Sequence, residues 1–457
     1  MSIAEHAAPS SGTQSRTAQD LDRTRVQAQD PTEGNGQPQD PAQAQDRMQA
    51  QAQDRVQTRA QEHADAQDRA QAQAPDPAQA PAQARAEAGT QGQERCRVGV
   101  PDESATRTEA ENRAPLNEAG TANGAAPTDA PPVTMTMAAA LNRALADALA
   151  ADPDVVVFGE DVGALGGVFR ITDGLTARFG EDRCFDTPLA ESGIVGTAVG
   201  MAMNGMRPVV EMQFDAFALP AFEQIVSHVA KLANRTRGSL RMPLVIRIPF
   251  GGGIGGVEHH CDSSEAYYAH TPGLTVVSPS TPQDAYSLLR AAIASPDPVI
   301  FLEPKKLYWS KGEVDTALTA DIGTARIARD GTDVTLLAYG ASVPLALEVA
   351  EVAATEGRSV QVVDVRSLAP FDDATVTAAV RSTGRAVVIA EAPGYVSVAS
   401  EIQARVFERC FEYLEAPVRR VTGFDTPYAP PKFEHWYLPD VDRVLDAIDT
   451  LHWDEDA

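Results

Sequence analysis

The stretch MTMAAALNRALADALAADPDVVVFGE, residues 135–160, places a helical pattern directly before a buried strand. Apolar residues recur at helical spacing until Pro153 ends the pattern. The apolar run that follows, Val155–Phe158, is typical of a strand that is buried on both faces. Helix and strand patterns then alternate along the chain, and this alternation predicts an α/β fold in which helices cover a parallel sheet.

Two series of strand patterns divide this part of the chain. The first series continues with PVVEMQF, PLVIRIPF, LTVVSP and PVIFLEP, with helical patterns such as FEQIVSHVAKLANRT and PQDAYSLLRAAIAS between them. A polar connection at residues 310–322 precedes the second series, which contains DVTLLAYG, SVQVVDV, RAVVIAE and PVRRVTG. We therefore predict two α/β domains, at residues 131–315 and 322–457.

The first 130 residues differ in composition from the rest of the chain. They contain no Phe, Tyr, Trp or Lys, and the sequence AQDR recurs at residues 44–47, 52–55 and 66–69. Such a segment buries too little apolar surface to offset the entropy that is lost on ordering. It also lacks the apolar core of a signal peptide. We therefore predict that residues 1–130 form a disordered, low-complexity tail.

Charge and cysteine usage narrow the class of protein. The 457 residues carry a formal net charge of −26, which argues against a nucleic-acid-binding face. No uninterrupted apolar span reaches the roughly 20 residues that cross a membrane. The cysteines are scattered without a paired spacing, as is typical of reduced thiols: Cys96, Cys184, Cys261 and Cys410. The expectation is a cytoplasmic protein that binds neither nucleic acid nor membrane.

A single carboxylate, Glu191, stands at the beginning of an apolar run in FDTPLAESGIVGTAVGMAMNG, residues 185–205. No other charged residue follows it before Arg207. A buried carboxylate needs a partner, or its pKa rises. One interpretation is the first turn of a helix, where the helix dipole stabilises a glutamate. The other is a functional carboxylate, and the local sequence leaves both open.

The glycine-rich stretch GGGIGG, residues 251–256, formally matches a dinucleotide-binding fingerprint. The polar sequence VEHHCDSSEAYYAH follows it where a packed helix should begin, which argues against that interpretation. A metal site at His259 and His260 is also disfavoured, because consecutive side chains point apart on a helix or a strand. We favour an active-site loop that presents one histidine.

A family resemblance joins these observations. Seven blocks in one order between residues 135 and 451 carry it: GEDVG (159–163), DTPLAESGIVG (186–196), EMQFDAFALPAFEQIV (211–226), HHCDSSEAYYAHTPGL (259–274), EPKKLYW (303–309), VVDVRSLAPFD (362–372) and LEAPVRRVTGFDTPYAPP (414–431). Together they resemble the beta subunit of the thiamine-diphosphate-dependent decarboxylase component of a 2-oxo acid dehydrogenase complex. The resemblance implies a transketolase-like pyrimidine-binding domain followed by a transketolase C-terminal domain.

The resemblance implies roles for five residues. Glu191 matches the glutamate that hydrogen-bonds a ring nitrogen of the cofactor's aminopyrimidine and controls its tautomer. Gln213 and Phe217 match positions that line the same pocket; a tyrosine is common at the second position, and Phe217 keeps the stacking but not the hydroxyl. His260 matches a histidine near the reacting carbons and the incoming lipoyl group, and the alternatives are His259 or a structural role. Glu160 faces the same cleft and contacts either the cofactor or only the loop.

Metal sites are implied in two places. Members of the family hold a structural potassium ion mainly through backbone carbonyls, and the matching positions here are Leu244, Val245, Ala292, Ser295 and Asp297, the last in place of a common Asn. The magnesium motif of thiamine enzymes is absent, because TDG at residues 172–174 with Asn204 lacks the first glycine, and we interpret it as structural. The resemblance therefore implies that an alpha subunit holds the magnesium and the diphosphate.

Partners and substrate follow from the same resemblance. It implies a heterotetramer of two alpha and two beta subunits, docked on a dihydrolipoyl acyltransferase core with its lipoyl domain. The blocks at 303–309 and 414–431 look more like the branched-chain members, so 2-oxoisovalerate is the expected substrate and pyruvate or acetoin the alternative. A single-chain transketolase-type enzyme would need a diphosphate-binding domain that residues 1–130 cannot provide. A non-catalytic binding module would leave Glu191 and His260 without a role.

Overall fold

The computed structural model of the chain describes residues 131–451. These residues form two α/β domains, each with a mostly parallel sheet that packs against helices, and the predicted fold is confirmed. The tail that we predict at residues 1–130 lies outside the described residues, as do residues 452–457 of the predicted second domain.

The elements of the first domain are as follows. Its strands are β1 (Val133–Thr136), β2 (Val155–Gly159), β3 (Cys184–Asp186), β4 (Arg207–Glu211), β5 (Val245–Phe250), β6 (Thr275–Val277), β7 (Val299–Pro304) and β8 (Lys311–Val314). Its α-helices are α1 (Met137–Ala151), α2 (Leu175–Phe179), α3 (Glu191–Met203), α4 (Phe222–Gln224), α5 (Leu232–Arg235), α6 (Glu265–Ala269) and α7 (Pro282–Ala294). Short 3-10 helices lie at Ala216–Ala221, Glu258–His260 and Lys305–Leu307.

The main sheet of the first domain has seven strands. A strand from the second domain, β12 (Ser367–Ala369), forms one edge, and the order is β12-β6-β7-β5-β4-β2-β3. All neighbouring pairs are parallel except β12 with β6. Every residue of β2 and β5 is buried, because helices cover the sheet, and this burial explains why both are apolar except for Arg247 on β5. Helices α1 and α7 pack together on this sheet, and each begins at a threonine whose side chain caps its first turn.

The helix that the sequence predicts over residues 222–236 is interrupted. Helix α4 passes directly into a π-helix at Ile225–Val229, and α5 begins only at Leu232. The amide of Ala230 donates to the carbonyl of Ile225, five residues back, at 2.9 Å. One extra residue is therefore accommodated in an expanded turn.

A two-stranded antiparallel sheet ties the ends of the first domain together. Strand β1 pairs with β8, from Val133 opposite Val314 to Thr136 opposite Lys311. Strand β8 lies inside the polar connection that we predict at residues 310–322. Only Val314 of its four residues is buried, so the sequence carries almost no apolar signal for it.

The second domain has a five-stranded sheet. Its strands are β9 (Arg326–Arg329), β10 (Val334–Ala338), β11 (Val360–Asp364), β13 (Ala386–Pro393) and β14 (Arg419–Gly423), in the order β14-β13-β10-β11-β9. Only β9 is antiparallel to its neighbour. Its α-helices are α8 (Ser342–Thr355), α9 (Asp373–Thr383), α10 (Val398–Cys410), α11 (Glu434–Tyr437) and α12 (Val441–Asp449), with 3-10 helices at Phe411–Tyr413 and Pro431–Phe433.

The two domains share a sheet edge and a core. Strand β12 pairs with β6 of the first domain, with Ser367 opposite Val277. One hydrophobic cluster contains Ile300 of β7 together with Leu337 and Val363 of the second sheet. The domains are therefore packed as one body at this boundary.

A buried ionic cluster lies at the centre of the first sheet. The guanidinium of Arg247 on β5 is fully buried between Glu211 of β4, at 2.6 Å, and Glu303 of β7, at 2.7 Å. The hydroxyl of Tyr308 donates to Glu303 at 2.7 Å. Burial raises the pKa of Glu211, although Arg247 opposes this shift. The single guanidinium of Arg247 therefore forms ion pairs with two carboxylates, one on each of the strands that flank β5.

Candidate active site

The predicted site residues lie at the carboxyl ends of adjacent parallel strands. Glu160 follows β2, Gln213 follows β4, and the loop after β5 leads to His260. Strands β2, β4 and β5 are neighbours in the sheet. Ligands of α/β proteins usually bind in the crevice at the carboxyl ends of the strands. The topology therefore explains why residues that are far apart in the sequence converge here.

Glu191 is the first residue of α3 and is half-buried. Its carboxylate thus lies where the positive end of the helix dipole stabilises a negative charge. This position agrees with both interpretations of the sequence, the helix start and the functional carboxylate. The groups around the side chain of Glu191 distinguish the two interpretations.

Glu160 is the nearby second carboxylate. Its side chain is buried, and its Oε1 atom has no hydrogen-bond partner among residues 131–451. Burial, and next the charge of Glu191, raise the pKa of Glu160 to about 7, although the amide of Ala190 opposes the shift. The structure therefore brings the carboxylates of Glu160 and Glu191 together at the N-terminus of α3. Glu160 is partly protonated near neutral pH.

Gln213 hydrogen-bonds the residue that follows Glu160. Its Nε2 atom donates to Asp161, the residue after Glu160, at 3.0 Å. Phe217 lies four residues further along, on the 3-10 helix Ala216–Ala221, and its ring stands 5.6 Å from that of Phe214 in an edge arrangement. An amide and an aromatic ring therefore lie close together on the segment that follows β4.

His260 completes the aromatic pocket. Its ring lies 4.2 Å from the ring of Phe214 and 5.5 Å from that of Phe217. Burial lowers the pKa of His260 below its usual range, and His259 and Lys305 lower it further. The imidazole is therefore neutral at pH 7. Phe214 is a neighbour that sequence reasoning missed, and its only signal is its position three residues before Phe217.

The glycine-rich loop before His260 is held by carboxylates of the second domain. The amide of Gly252 donates to Glu391 at 3.1 Å, and those of Gly253 and Gly255 donate to Glu434 at 2.9 and 3.0 Å. Backbone amides in such a loop form an anion-binding nest. Side chains of the same chain occupy this nest, so the formal fingerprint does not mark a dinucleotide site. Sequence reasoning missed both carboxylates.

Two buried charged groups lie behind His260. Asp215 accepts hydrogen bonds from the amide and the hydroxyl of Ser264, and burial raises its pKa to about 7. Burial lowers the pKa of Lys305 to about 8, and its Nζ atom has no hydrogen-bond partner within the described residues. Each of the two charges shifts the pKa of the other toward its ionised form.

The segments that we predict for potassium are adjacent. The amide of Val299 donates to the carbonyl of Leu244 at 3.0 Å, and the side chains of Arg241 and Asp297 form an ion pair at 3.1 Å. The carbonyl of Ser295 accepts a hydrogen bond from Arg207 at 3.2 Å, and that of Ala292 accepts one from the amide of Ser295. Oxygen donors suit a hard cation, and a carbonyl has a second lone pair to offer. Potassium at these residues and at Val245 stays a prediction.

The residues of the incomplete magnesium motif make structural contacts. The hydroxyl of Thr172 donates to the carbonyl of Val162 at 2.7 Å, and Gly174 precedes α2 with φ of +75°. Asn204 follows α3, and its side chain donates to the carbonyl of Gly200 at 2.8 Å. Between residues 131 and 451, no group of three His, Cys, Asp or Glu side chains is arranged to hold a metal ion.

Two further sequence predictions concern the whole described region. Cys184, Cys261 and Cys410 are free and buried, and Cys96 lies outside the described residues. No helix in residues 131–451 has both the length and the apolar character needed to span a membrane.

Comparison with known proteins identifies both domains. Residues 133–310 match the transketolase pyrimidine binding domain, and residues 323–444 match the transketolase C-terminal domain. A solved structure, a split gene transketolase in the form of an inactive beta4 tetramer, superposes with a TM-score of 0.58 at 22% identity, over 69% of this chain and 98% of that chain. This likeness supports the fold.

Two bacterial relatives are much more similar in sequence. The pyruvate dehydrogenase E1 component subunit beta of Leifsonia xyli subsp. xyli is 58% identical over 317 residues, which are 69% of this chain and 94% of the relative. The 3-methyl-2-oxobutanoate dehydrogenase subunit beta of Mycobacterium tuberculosis is 54% identical over 320 residues, which are 70% of this chain and 92% of the relative. The predicted family is therefore confirmed: the chain belongs to the beta subunits of the thiamine-diphosphate-dependent E1 component of 2-oxo acid dehydrogenases.

Proposed function

We propose that this subunit supplies the aminopyrimidine half of a thiamine diphosphate site in an enzyme that decarboxylates a 2-oxo acid oxidatively and transfers the acyl group to a lipoyl group. The observation that carries the proposal is the pair of carboxylates Glu160 and Glu191. Beside this pair, Gln213 hydrogen-bonds Asp161, and Phe214, the residue after Gln213, contacts His260.

The residues present fit an aminopyrimidine ring. Glu191 offers an ionisable oxygen at the edge of the crevice, and the Oε1 atom of Glu160 is a buried acceptor without a partner among the described residues. Phe217 offers an aromatic face for stacking, and Gln213 offers an amide. Thiamine diphosphate, when bound, supplies the carbon chemistry of decarboxylation. In this proposal Glu191 shares a proton with a ring nitrogen and so controls the tautomer of the ring.

His260 is suited to proton transfer during the acyl handover. Its lowered pKa keeps the imidazole neutral at pH 7, so one nitrogen can accept a proton while the other donates. The ring of Phe214, at 4.2 Å, restricts the orientation of the imidazole. We therefore assign His260 to the step in which the lipoyl sulfur receives the acyl group.

The diphosphate and the magnesium ion are assigned to an alpha subunit. The incomplete motif at residues 172–174 makes structural contacts, and the described residues contain no cluster of metal-binding side chains. A shared cofactor requires an interface between alpha and beta chains. The net charge of −26 also suits a basic binding domain on a dihydrolipoyl acyltransferase core.

The expected assembly contains two alpha and two beta chains, with beta–beta contact through the second domain. Exposed aromatic side chains on that domain support such a contact: Phe407, Phe411, Tyr413, Phe424, Phe433 and Trp436. Native mass spectrometry of the co-expressed subunits should give the mass of this heterotetramer. A stable species that contains only beta chains and has full activity would contradict the prediction.

The proposed substrate is 2-oxoisovalerate or another branched-chain 2-oxo acid. The blocks at 303–309 and 414–431 and the relative named for 3-methyl-2-oxobutanoate support this choice. The relative named for pyruvate supports pyruvate as the second candidate. A hydrophobic pocket discriminates by only about 1–3 kcal/mol per methylene, so the two substrates can overlap.

A reconstitution experiment tests the function. The chain is mixed with its alpha subunit, thiamine diphosphate and magnesium, and kcat/KM is measured for 2-oxoisovalerate and for pyruvate. We expect decarboxylation only when both subunits are present, with 2-oxoisovalerate preferred. Activity of the beta chain alone would favour a single-chain enzyme, and no activity with any 2-oxo acid would favour a binding module.

A further inference from the structure

Glu434 holds the loop that carries the active-site histidine. Its Oε1 atom accepts hydrogen bonds from the amide of Gly253 at 2.9 Å and from the hydroxyl of Tyr428 at 2.6 Å. Its Oε2 atom accepts one from the amide of Gly255 at 3.0 Å. Hydrogen bonds to an ionised carboxylate are roughly twice as strong as those between neutral groups. One side chain of the second domain therefore fixes two points of a first-domain loop.

The loop passes close against the second domain. Gly253 and Gly255 have φ of +81° and +68°, a conformation that favours glycine. A Cβ atom on Gly252 would lie 2.0 Å from the hydroxyl oxygen of Tyr428, so the backbone passes directly against the second domain. A small hydrophobic cluster contains Tyr428 and Cys261, with Ile254 of the loop packed against it. Apolar contacts thus reinforce the polar ones.

The position of the loop is transmitted to His260. The amide of His260 donates to the carbonyl of Val257 at 2.9 Å, one residue after the glycine-rich stretch. A Cβ atom on Gly256 would lie 3.3 Å from the Cβ atom of His260, so the loop and the histidine are in close contact. A shift of the loop therefore moves the imidazole relative to Phe214 and the crevice.

We propose that Glu434 is a positioning residue for acyl transfer to the lipoyl group, acting through the loop 251–256 and His260. The proposal rests on the role of His260 proposed above. Glu434 belongs to the second domain, and its carboxylate hydrogen-bonds the loop and Tyr428. Glu160 and Glu191 instead lie after β2 and at the start of α3. Glu434 should therefore affect the handover of the acyl group more than the decarboxylation that precedes it.

The variant that tests the proposal is Glu434→Gln. Glutamine has nearly the same shape, but its side-chain NH₂ group must face one of the donors that the carboxylate now satisfies, and the charge is lost. The matched control is Glu351→Gln, which removes one exposed carboxylate of α8 in the same domain. Both variants are assembled with the alpha subunit and thiamine diphosphate.

Two assays separate the two half-reactions. Decarboxylation is followed with an artificial electron acceptor, and acyl transfer is followed as acylation of an isolated lipoyl domain. A misplacement of about 1 Å can cost up to about 100-fold in rate, so we expect Glu434→Gln to lower kcat for acylation by about 10- to 100-fold. Decarboxylation should change little, and Glu351→Gln should change neither reaction. Equal losses in both half-reactions would overturn the proposal.

A double variant tests whether Glu434 acts through His260. If it does, Glu434→Gln should cause no further loss of acylation in a His260→Ala background. Independent, multiplying losses would contradict the assigned route.

Amide hydrogen exchange provides a readout that does not require activity. Peptides that cover residues 251–260 should exchange faster in Glu434→Gln than in the wild-type chain, while peptides from β10 and β13 should be unchanged. Unchanged exchange in the loop would overturn the positioning role. If the wild-type assembly has no 2-oxo acid activity while the loop still exchanges faster, the proposed function fails and the structural contact stands.

Discussion

At Glu191 a helix start and a candidate cofactor contact coincide in one side chain. The residue begins α3, and its charge raises the pKa of the neighbouring Glu160. A helix needs only a negative or hydrogen-bonding group at this position, whereas tautomer control needs a group that exchanges a proton. Substitution by an isosteric amide therefore distinguishes the two roles.

We expect Glu191→Gln to keep the fold and the alpha partner but to suppress deuterium exchange at the thiazolium carbon of bound thiamine diphosphate. Glutamine can hydrogen-bond the ring but cannot share an ionisable proton, so activity should fall much more than cofactor affinity. If Glu191 only starts the helix, the change should cost at most about 1 kcal/mol of stability and leave turnover intact. Exchange at the wild-type rate would support that second role.

The shifted pKa of Glu160 predicts a pH dependence of stability. Its pKa rises from 4.5 to about 7 on folding, so the folded chain binds an additional proton between these values. The contribution of Glu160 to stability is therefore fully present below pH 4.5 and is lost as the pH rises to about 7.

Glu160→Gln mimics the protonated group and should remove this dependence. Thermal unfolding at several pH values between 4.5 and 8 should show that the Tm of the variant, relative to wild type, increases with pH. A Tm difference that stays constant over this range would show that Glu160 does not titrate as described.

Glu391 and Glu434 are functional-site contacts that could not be predicted from the sequence. Glu191, Gln213, Phe217 and His260 lie in blocks that resemble a known family, so they could be predicted. The two carboxylates that hold the glycine-rich loop are 139 and 181 residues away from the amides that they bind. Only the packing of the second domain against the first brings them together, and no local pattern encodes that packing.

Among the elements, the central strands of the first sheet depend on the ionic cluster around Arg247. We expect Arg247→Leu to lower the free energy of unfolding by about 3–5 kcal/mol, because it leaves two buried carboxylates without a cation. Denaturant unfolding measures this loss. The additional changes Glu211→Gln and Glu303→Gln should restore part of it, since they remove the uncompensated charges.

The matched control is an exposed ion pair on α1. The side chain of Arg143 is 50% exposed and pairs with Asp147 at 2.7 Å, so Arg143→Ala should cost only about 0–1 kcal/mol. A loss of similar size in Arg247→Leu would contradict the importance of the buried cluster.

Strand prediction succeeded where burial is complete, and most of the strands that it missed are short or polar. Strands β2, β5, β7, β10 and β11 have every residue buried, and their mainly apolar sequences make them recognisable despite single charged residues such as Arg247 and Glu303. Strands β3 and β12 have only three residues each, and β8 and β9 are mostly polar. Pairing partners elsewhere in the chain, rather than local propensity, stabilise these four.

For the whole molecule, the composition of the first 130 residues predicts that they are dispensable for the chemistry. We expect an enzyme assembled from a beta chain that lacks residues 1–125 to keep nearly all of its kcat, because residues 131–451 contain every proposed site residue. Steady-state kinetics of the reconstituted tetramer provide the measurement. A large loss of turnover would assign the segment a role in the reaction or in assembly.

Strand β12 of the second domain is part of the first sheet. Once the chain has folded, this pairing should hold the two domains together even without the covalent connection between them. A protease that cuts the connection between β8 and β9 would yield two fragments on a denaturing gel, yet β12 would remain paired with β6 and the common core would remain closed. The nicked protein should elute as one particle. Because loss of either half would expose apolar surface of this common core, we expect the two halves to unfold together in a single denaturant transition.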